Sequence, residues 1–495
     1  MFASAEVGHA IDKKTWDAEV PKLRSALLNA QYDCAEQKRF PVTIVIGGVD
    51  GAGKGETVNL LLEWMDPRYI QVRAFPDPSD EERERPPMWR FWRALPPRGK
   101  IGILFGGWHT DPILDRVSGD LTAAELDQRI QRIVRFERML VDEGALLLKF
   151  WFHISKEKQR ERLKALSKDP HTAWRVTKQD WKRFKHYDEF RKVSEHYIRQ
   201  TSSGEAPWIV VEGTDPRYRG LTVGKEILQA VRGRLDAKKH QVHLDRTPPL
   251  LPAIDGRDVV QLLDFDKRLG KGKYEKQLER WQGRLATLTR DPRFRRHAVA
   301  AVFEGSDAAG KGGAIRRITG ALDARQYEVI PIAAPTEEER AQPYLWRFWR
   351  NVPRCGRFTI FDRSWYGRLL VERVEGFAAE TDWMRAYGEI NDFENQMARS
   401  GVIVVKFFLA ITKQEQLKRF HNRQRTEFKR FKITEEDWRN RKKWDAYHRA
   451  TCDMVDRTST DFAPWHLVPS NDKYLARVQI LRSLCRHIEK SLNRR

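Results

Sequence analysis

Two glycine-rich loops in the chain have the residue types and the spacing that bind phosphate. Residues 49–55 read VDGAGKG, and residues 306–312 read SDAAGKG. Each loop follows an apolar run and precedes a helix-forming segment, which is the context of a P-loop. Glycines let backbone N–H groups surround a phosphate, and the lysine, Lys54 or Lys311, neutralises the transferring phosphoryl group. The second loop predicts phosphate contacts from Gly305, Ala309, Gly310 and Gly312.

The position after each lysine departs from the usual P-loop pattern, in which a Ser or Thr hydroxyl holds magnesium. Gly55 and Gly312 stand there instead, and each loop contains an aspartate, Asp50 or Asp307. We expect the Asp307 carboxylate to bind Mg²⁺ or its water shell and to be catalytic, together with Lys311. The alternative is that this aspartate only shapes the loop through an Asx turn.

A second acid follows an apolar run in the C-terminal half. Residues 358–361 read FTIF and are followed by Asp362 and Arg363. An acid at the tip of a strand beside a P-loop is the Walker B arrangement, so Asp362 is expected to hold Mg²⁺. Arg363 is expected to clamp phosphate in a bidentate manner. Arg368 and Arg373 extend this cationic face toward phosphate, unless they pair with neighbouring glutamates.

The chain repeats itself over most of its length. The two loops begin at Val49 and Ser306, an offset of 257 residues (306 − 49), and WRFWR recurs at residues 89–93 and 346–350 with the same offset. Such a long offset indicates duplication of a whole domain. Apolar strands alternate with helices in each half, which predicts an α/β fold whose parallel sheet is covered on both faces. We expect an N-terminal domain at 1–240, a linker at 241–256 and a C-terminal domain at 257–495.

The two halves differ at the strand-end motif. At the positions of Asp362 and Arg363 the N-terminal half has Phe105 and Gly106. Loss of a metal-binding carboxylate and of a phosphate-binding arginine predicts that this half is catalytically inactive. We therefore expect a structural or regulatory N-terminal half, and whether its loop still binds phosphate is an open question.

A basic segment follows the fourth strand of the C-terminal half, at residues 412–432. Kinases of small phosphate acceptors close a basic lid over the transferring group, which excludes water and supplies positive charge. Arg419, Arg423 and Lys432 are the candidates for this role. The alternative is an ordinary solvated basic helix face.

The charge of the chain narrows the class of partner. The 495 residues carry a formal net charge of +22, which points to a polyanion such as nucleic acid, an anionic membrane or a phosphate-rich substrate. The four cysteines are widely spaced and contain no C-x-x-C pair, so their spacing predicts neither a zinc site nor a redox motif. No apolar run approaches the roughly 20 residues of a membrane span.

From the cysteine spacing and the lack of such an apolar run, we expect a soluble cytoplasmic protein.

In combination these motifs resemble the second family of polyphosphate kinases. The residues that carry the resemblance are GSDAAGKGG, WRFWR, DRSWYGR, the basic segment and KWDAY. Two fused copies with a degenerate first copy resemble its polyphosphate:AMP phosphotransferase class. The resemblance implies a three-layer α/β/α, thymidylate-kinase-like fold with a helical lid, duplicated in tandem, and a requirement for Mg²⁺. It maps the family's site residues onto Asp307, Lys311, Asp362, Arg363, Arg419 and Lys432.

The resulting hypothesis is transfer of the terminal phosphate of inorganic polyphosphate to AMP, giving ADP. Two alternatives keep the fold: ADP as the acceptor, giving ATP, or an ATP-dependent nucleotide kinase. A third alternative is a non-enzymatic polyanion-binding scaffold. No nucleic acid and no membrane is expected as a partner. The chain could also form a homo-oligomer, because duplicated domains often reproduce an ancestral two-fold contact.

Overall fold

The computed structural model describes residues 1–237 and 258–493, except for the side chains of Lys429 and Lys432. The predicted linker at 241–256 lies outside the described residues. The described chain forms two compact units, 1–78 with 90–237 and 336–346, and 79–89 with 258–335 and 347–493. None of the helices in these ranges combines the length and apolar character that a membrane span requires.

Residues 1–237 contain five strands and ten α-helices. The strands are β1 Val42–Gly48, β2 Ile70–Ala74, β3 Ile101–Phe105, β4 Leu146–His153 and β5 Trp208–Glu212. The helices are α1 Lys13–Gln37, α2 Lys54–Trp64, α3 Asp80–Arg83, α4 Trp89–Ala94, α5 Gly107–Ser118, α6 Ala123–Asp142, α7 Lys156–Lys168, α8 Lys178–Lys185, α9 Tyr187–Thr201 and α10 Pro216–Asp236.

Residues 258–493 repeat this plan. The strands are β6 Ala298–Gly305, β7 Tyr327–Pro331, β8 Phe358–Asp362, β9 Val402–Ala410 and β10 Trp465–Pro469. The helices are α11 Lys271–Arg290, α12 Lys311–Thr319, α13 Glu337–Arg340, α14 Trp346–Trp349, α15 Val371–Glu375, α16 Glu380–Arg399, α17 Lys413–Arg425, α18 Glu435–Lys442, α19 Trp444–Thr458 and α20 Lys473–Leu492.

Both sheets are parallel and have the same strand order. The first runs β2-β3-β1-β4-β5 and the second β7-β8-β6-β9-β10. Their registers also agree, because Ile46 of β1 pairs with Phe105 and Phe303 of β6 pairs with Asp362. Phe105 and Asp362 therefore hold equivalent places at the ends of their strands. The predicted tandem of parallel-sheet α/β domains is confirmed.

The central strands are buried because both faces of each sheet are covered by helices. All residues of β9 are buried, including Lys406. The Lys406 ammonium donates to Glu394 Oε2 at 2.7 Å, to the Thr458 carbonyl at 2.7 Å and to the Tyr366 hydroxyl at 2.8 Å. A buried charge is tolerated where its hydrogen bonds are satisfied in this way. The network joins the centre of the sheet to α16 and α19.

Candidate active site

The second glycine-rich loop joins β6 to α12. Gly305 has φ +138°, and a β-carbon on it would lie 2.3 Å from the Leu409 carbonyl oxygen, so only glycine fits there. Lys311 opens α12, and its Nζ donates to the Gly305 carbonyl at 2.7 Å. Around Gly310 no described atom other than those of its chain neighbours and its own helix backbone lies within 4 Å of a β-carbon position, so this part of the loop faces open space.

Two residues at the site have left-handed backbone conformations that glycine would normally occupy. Ala308 in the loop has φ 64°, and Arg363 after β8 has φ 65°. Such conformations cost non-glycine residues on the order of 1 kcal/mol or more, and they concentrate at functional sites. The equivalent residues of the first unit are Gly51 and Gly106, which adopt positive φ without that cost.

The Asp307 carboxylate is held between Arg363 and a residue of α18. Arg363 Nη2 lies 3.4 Å from Asp307 Oδ1, and Asn440 Nδ2 donates to Asp307 Oδ2 at 3.0 Å. The structure therefore brings together the predicted aspartate and the predicted strand-end arginine. Asn440 was not predicted from the sequence, because it is 133 residues from Asp307.

Glu304 is a further acid that the sequence motifs did not single out. It is the residue before Gly305 and is buried, and the Ser364 hydroxyl donates to its Oε1 at 2.8 Å. Burial raises the pKa of the Glu304 carboxyl against the opposing attraction of Lys311. The first unit has Gly47 at this position. The signal that could have revealed it is an acid inside an otherwise apolar strand.

The carboxylates of the loop and of the end of β8 fit a hard divalent cation. Asp362 is the last residue of β8, and within the described part of the chain its carboxylate accepts no hydrogen bond. Asp307 also presents carboxylate oxygens, and Mg²⁺ prefers oxygen ligands. The donor set thus suits Mg²⁺, with Asp307 and Asp362 as the residues that would hold it or its waters.

Two cavities adjoin the loop. The first, which we call the aromatic cavity, has a volume of about 110 Å³ and is lined by residues including Glu304, Asp307, Arg363, Asn440, Trp444 and Tyr447. The second, which we call the cationic cavity, has a volume of about 260 Å³. Its lining includes Ala308, Ala309, Gly310, Arg316, Arg317, Arg423, Lys473 and Arg477. Arg316, Arg317, Lys473 and Arg477 were not among the predicted site residues.

The predicted lid cations have different environments. Arg423 lines the cationic cavity. Arg419 is only 5% exposed, and its guanidinium donates to the carbonyls of Ala308, Ala309, Ser470 and Asn471 and to the Glu415 carboxylate. Arg419 therefore supports the loop, and it also lines the cationic cavity. Phosphate binding by Arg419 stays a prediction. The side chain of Lys432 lies outside the described structure.

Arg368 and Arg373 form ion pairs within the second unit. Arg368 Nε lies 2.8 Å from Glu372 Oε2, and Arg373 Nη2 lies 2.7 Å from Asp453 Oδ2. Neither residue is among those lining the two cavities. The ion pairs favour the alternative of carboxylate pairing that the sequence left open for these arginines, and phosphate binding by them stays a prediction.

The first unit has a side chain where the second has the cationic cavity. The Arg219 guanidinium is buried against the first loop, and its Cζ lies 2.2 Å from the position of a β-carbon on Gly53. It donates to Glu56 Oε2 at 2.6 Å and, through Nε, to Thr57 Oγ1 at 3.0 Å. The second unit has Gly313, Ala314 and Ala476 at the positions of Glu56, Thr57 and Arg219. Larger side chains thus occupy the space beside the first loop, at the place where the second unit has the cationic cavity.

The loop aspartate of the first unit is neutralised by protein cations. Asp50 lies 3.4 Å from Lys54 Nζ and 3.6 Å from Arg183, which takes the place of Asn440. Although burial opposes it, the attraction of Lys54 and Arg183 lowers the pKa of Asp50. Lys54 also donates to the Gly48 carbonyl at 2.5 Å. The first loop has internal partners for the charges that a metal ion and a phosphate would otherwise balance.

Known proteins are similar to this chain over nearly its whole length. The family model described as Polyphosphate kinase 2 (PPK2) matches residues 10–240 and 268–495. A polyphosphate:AMP phosphotransferase of Pseudomonas aeruginosa is 59% identical over 99% of both chains, and one of Pseudomonas syringae pv. tomato is 54% identical over 100% of this chain and 99% of its own. A crystal structure of a polyphosphate kinase 2 from Pseudomonas aeruginosa superposes with a TM-score of 0.91 at 56% identity, covering 100% of both chains.

These matches cover both halves of the repeat, so they bear on the whole chain and not on the loops alone. The resemblance that the motifs predicted is confirmed. The chain belongs to the polyphosphate kinase 2 family.

Proposed function

We propose that the second unit transfers the terminal phosphate of inorganic polyphosphate to AMP, giving ADP. The observation that carries this proposal is that two cavities meet at one loop. Asp307 lines the aromatic cavity, and residues 308–310 line the cationic cavity. Transfer between two bound phosphates needs donor and acceptor held on either side of one set of positioning groups.

The cationic cavity is the proposed donor site. Arginine and lysine side chains from α12, α17 and α20 converge on it, together with backbone of the loop. A polyphosphate chain is a repeating anion, so several cations in one cavity suit it better than a single pairing site. The net charge of +22 would also steer such a polyanion toward the protein.

The aromatic cavity is the proposed acceptor site. Trp444 and Tyr447 provide aromatic surface against which a base can stack, and Arg363 can bind the phosphate of a nucleotide. AMP is favoured over ADP as the acceptor because the two relatives are polyphosphate:AMP phosphotransferases, and the similarity covers 99% of each of them. ADP as the acceptor and ATP as the donor remain alternative outcomes of the test below.

The transfer step needs no covalent intermediate with the protein. An oxygen of the AMP phosphate attacks the terminal phosphorus, and a new O–P bond forms. The bond from that phosphorus to the bridging oxygen breaks, and the shortened polyphosphate keeps this oxygen. The attacking oxygen is already ionised, so no general base is required. Lys311 and Arg363 would stabilise the charge of the transferring group.

Mg²⁺ is the proposed cofactor, held by Asp307 and Asp362. When bound, it would neutralise charge on the phosphate oxygens.

The cytoplasm is the proposed location, because Cys34, Cys355, Cys452 and Cys485 are free thiols, which suits a reducing compartment. Association into a homo-oligomer is a further proposal, and light scattering would test it.

The test uses one purified enzyme with each donor and each acceptor. Polyphosphate or ATP is combined with AMP or ADP in the presence of Mg²⁺, and the nucleotides are separated by chromatography. We expect ADP to form from polyphosphate and AMP without ATP. ATP formation from polyphosphate and ADP at a much higher rate would make ADP the acceptor. Turnover only with ATP would overturn the proposal.

A further inference from the structure

Three potential metal ligands of different chemistry meet in the second unit, away from the loop. Asp258, His448 and Cys452 each offer one ligand atom, and these atoms lie within 4.8 Å of one another. His448 Nε2 is 2.6 Å from Asp258 Oδ2. The spacing of the cysteines predicted no zinc site, because the cluster contains a single cysteine and Asp258 is 190 residues from His448.

The fold positions all three side chains. His448 and Cys452 are four residues apart on α19, so they lie on the same helix face one turn from each other. Asp258 Oδ1 accepts hydrogen bonds from the backbone N–H groups of Val260 at 3.0 Å and Gln261 at 2.8 Å. These bonds orient the carboxylate and leave Oδ2 directed at His448, which is the support that metal-binding carboxylates usually have.

The donor set selects a class of metal ion. Imidazole nitrogen, thiolate sulfur and carboxylate oxygen are the ligands of Zn²⁺, which takes three protein ligands and a water in open sites. Mg²⁺ prefers oxygen ligands and suits the cluster poorly. The His448 and Asp258 side chains are 26% and 28% exposed, so an ion can reach them.

The three ligands belong to the second unit, and the first unit has other residue types at the equivalent positions. The first unit has Met1, Arg191 and Glu195 at the positions of Asp258, His448 and Cys452. An arginine in place of the imidazole cannot bind a metal ion, and it repels one. The three ligands are therefore a local feature of the second unit rather than a by-product of the shared fold.

We propose that Asp258, His448 and Cys452 bind a zinc-class divalent cation, with water as a fourth ligand. The ion replaces the hydrogen bond between His448 and Asp258, the Cys452 thiol releases its proton to solvent, and the imidazole carries its proton on Nδ1. The bound ion links the segment at Asp258 to α19. Tyr447, the residue before His448, donates from its hydroxyl to Asn440 Oδ1 at 3.2 Å, and Asn440 contacts Asp307. The proposed zinc site does not rest on the proposed phosphate transfer.

Zinc binding by the full chain tests the proposal. The protein is stripped with a chelator, equilibrated with ZnCl₂ alone in the presence of excess Mg²⁺, passed through a desalting column and assayed for zinc. We expect retention of one ion per chain. Cys452→Ser and His448→Gln should each weaken zinc binding by at least about tenfold, because a lost ligand costs no less than a lost supporting contact. Cys355→Ser is the matched control and should bind as the unsubstituted chain does.

Cobalt distinguishes this site from the proposed magnesium site. Co²⁺ bound through a thiolate gives a near-ultraviolet charge-transfer band, which should appear in the unsubstituted chain and in Cys355→Ser but not in Cys452→Ser. Zinc retention and a cobalt band that are unchanged in Cys452→Ser would overturn the proposal. Absence of any retained zinc in the unsubstituted chain would overturn it as well.

A measurement on the unsubstituted chain avoids any effect of substitution on folding. Alkylation of Cys452 is followed by mass spectrometry with and without ZnCl₂, and Cys355 serves as the internal reference. Ligation should slow the labelling of Cys452 at least about tenfold, because only the free thiolate reacts, while Cys355 labels at an unchanged rate. Equal slowing of both thiols, or of neither, would contradict the proposal.

Discussion

Asp307 and Asp50 occupy equivalent positions but have different partners. Asp50 faces Lys54 and Arg183, whereas Asp307 faces the neutral Asn440 and one side of Arg363. A carboxylate already balanced by two cations has less affinity for a metal ion than one that accepts from an amide. We therefore expect that Arg183, in the place of Asn440, lowers the affinity of the first loop for a metal ion.

A single histidine in β10 predicts how acid affects the second unit. Burial, with a further contribution from His487, lowers the pKa of His466 to about 4 from its usual 6.5. Between these values the unfolded chain binds a proton that the folded chain excludes, so stability is complete above pH 6.5 and falls as the pH drops toward 4. The difference between the two pKa values corresponds to up to about 3 kcal/mol in the free energy of unfolding. Because His466 is partly exposed, we expect a loss of about 1–2 kcal/mol.

His466→Ile checks this prediction, because isoleucine is the residue at the equivalent position of β5. Thermal unfolding is measured at pH 7 and pH 5 for both proteins. The unsubstituted chain should lose more stability between the two pH values than the variant. An equal loss would show that other groups account for the acid sensitivity.

At the scale of helices and loops, two arginines of α17 have separate tasks. Arg419 ties two carbonyls of the loop to two carbonyls that follow β10, and it is buried, whereas Arg423 lines the cationic cavity one turn later. Arg419→Ala should lower the free energy of unfolding by about 3 kcal/mol, since it leaves buried carbonyls unsatisfied. Arg423→Ala should change it by less than about 0.5 kcal/mol and raise the KM for polyphosphate about tenfold.

Chemical denaturation and steady-state kinetics of the two variants separate these tasks. Equal destabilisation by both substitutions would contradict the assignment. So would an Arg419→Ala protein that unfolds at the same denaturant concentration as the unsubstituted chain.

Whether a site residue could be predicted from the sequence depends on the helix, strand or loop that carries it. The loop, Asp307, Lys311, Asp362 and Arg363 could be predicted because each lies within a short motif at the end of an apolar run. Asn440, Lys473 and Arg477 could not, since they reach the loop from helices more than 100 residues away, and only the strand order brings those helices together. The burial of Arg419 against the loop could not be predicted either, because a basic helix face does not reveal which of its cations is buried.

At the scale of the whole chain, duplication supplies an internal control. Both units have the same strand order and register, yet the second has the cationic cavity at the place where, in the described chain, Arg219 fills the first unit. The inactivity predicted for the first half from the loss of a Walker B acid thus has a second physical basis that the motif comparison did not include. Inactivity of that half is still a prediction.

Transferring the filled loop to the second unit tests this basis. A Gly313→Glu, Ala314→Thr and Ala476→Arg triple variant reproduces Glu56, Thr57 and Arg219 of the first unit. We expect turnover to fall more than about 100-fold, because the guanidinium would occupy phosphate space and cancel its charge. The thermal unfolding midpoint should stay close to that of the unsubstituted chain, since the same cluster is satisfied in the first unit. Turnover near the original rate in a folded triple variant would contradict the account.

The most direct test of the central claim compares the two loop lysines in one assay. ADP formation from AMP, polyphosphate and Mg²⁺, without ATP, is measured for the unsubstituted chain, Lys311→Ala and Lys54→Ala, with unfolding curves to verify folding. We predict a loss of more than about 100-fold in Lys311→Ala and a change within about twofold in Lys54→Ala. The reason is that Arg219 fills the space beside the first loop, and the first unit lacks the strand-end acid and arginine. Loss of turnover in Lys54→Ala with Lys311→Ala active would place the chemistry in the first unit and contradict the account.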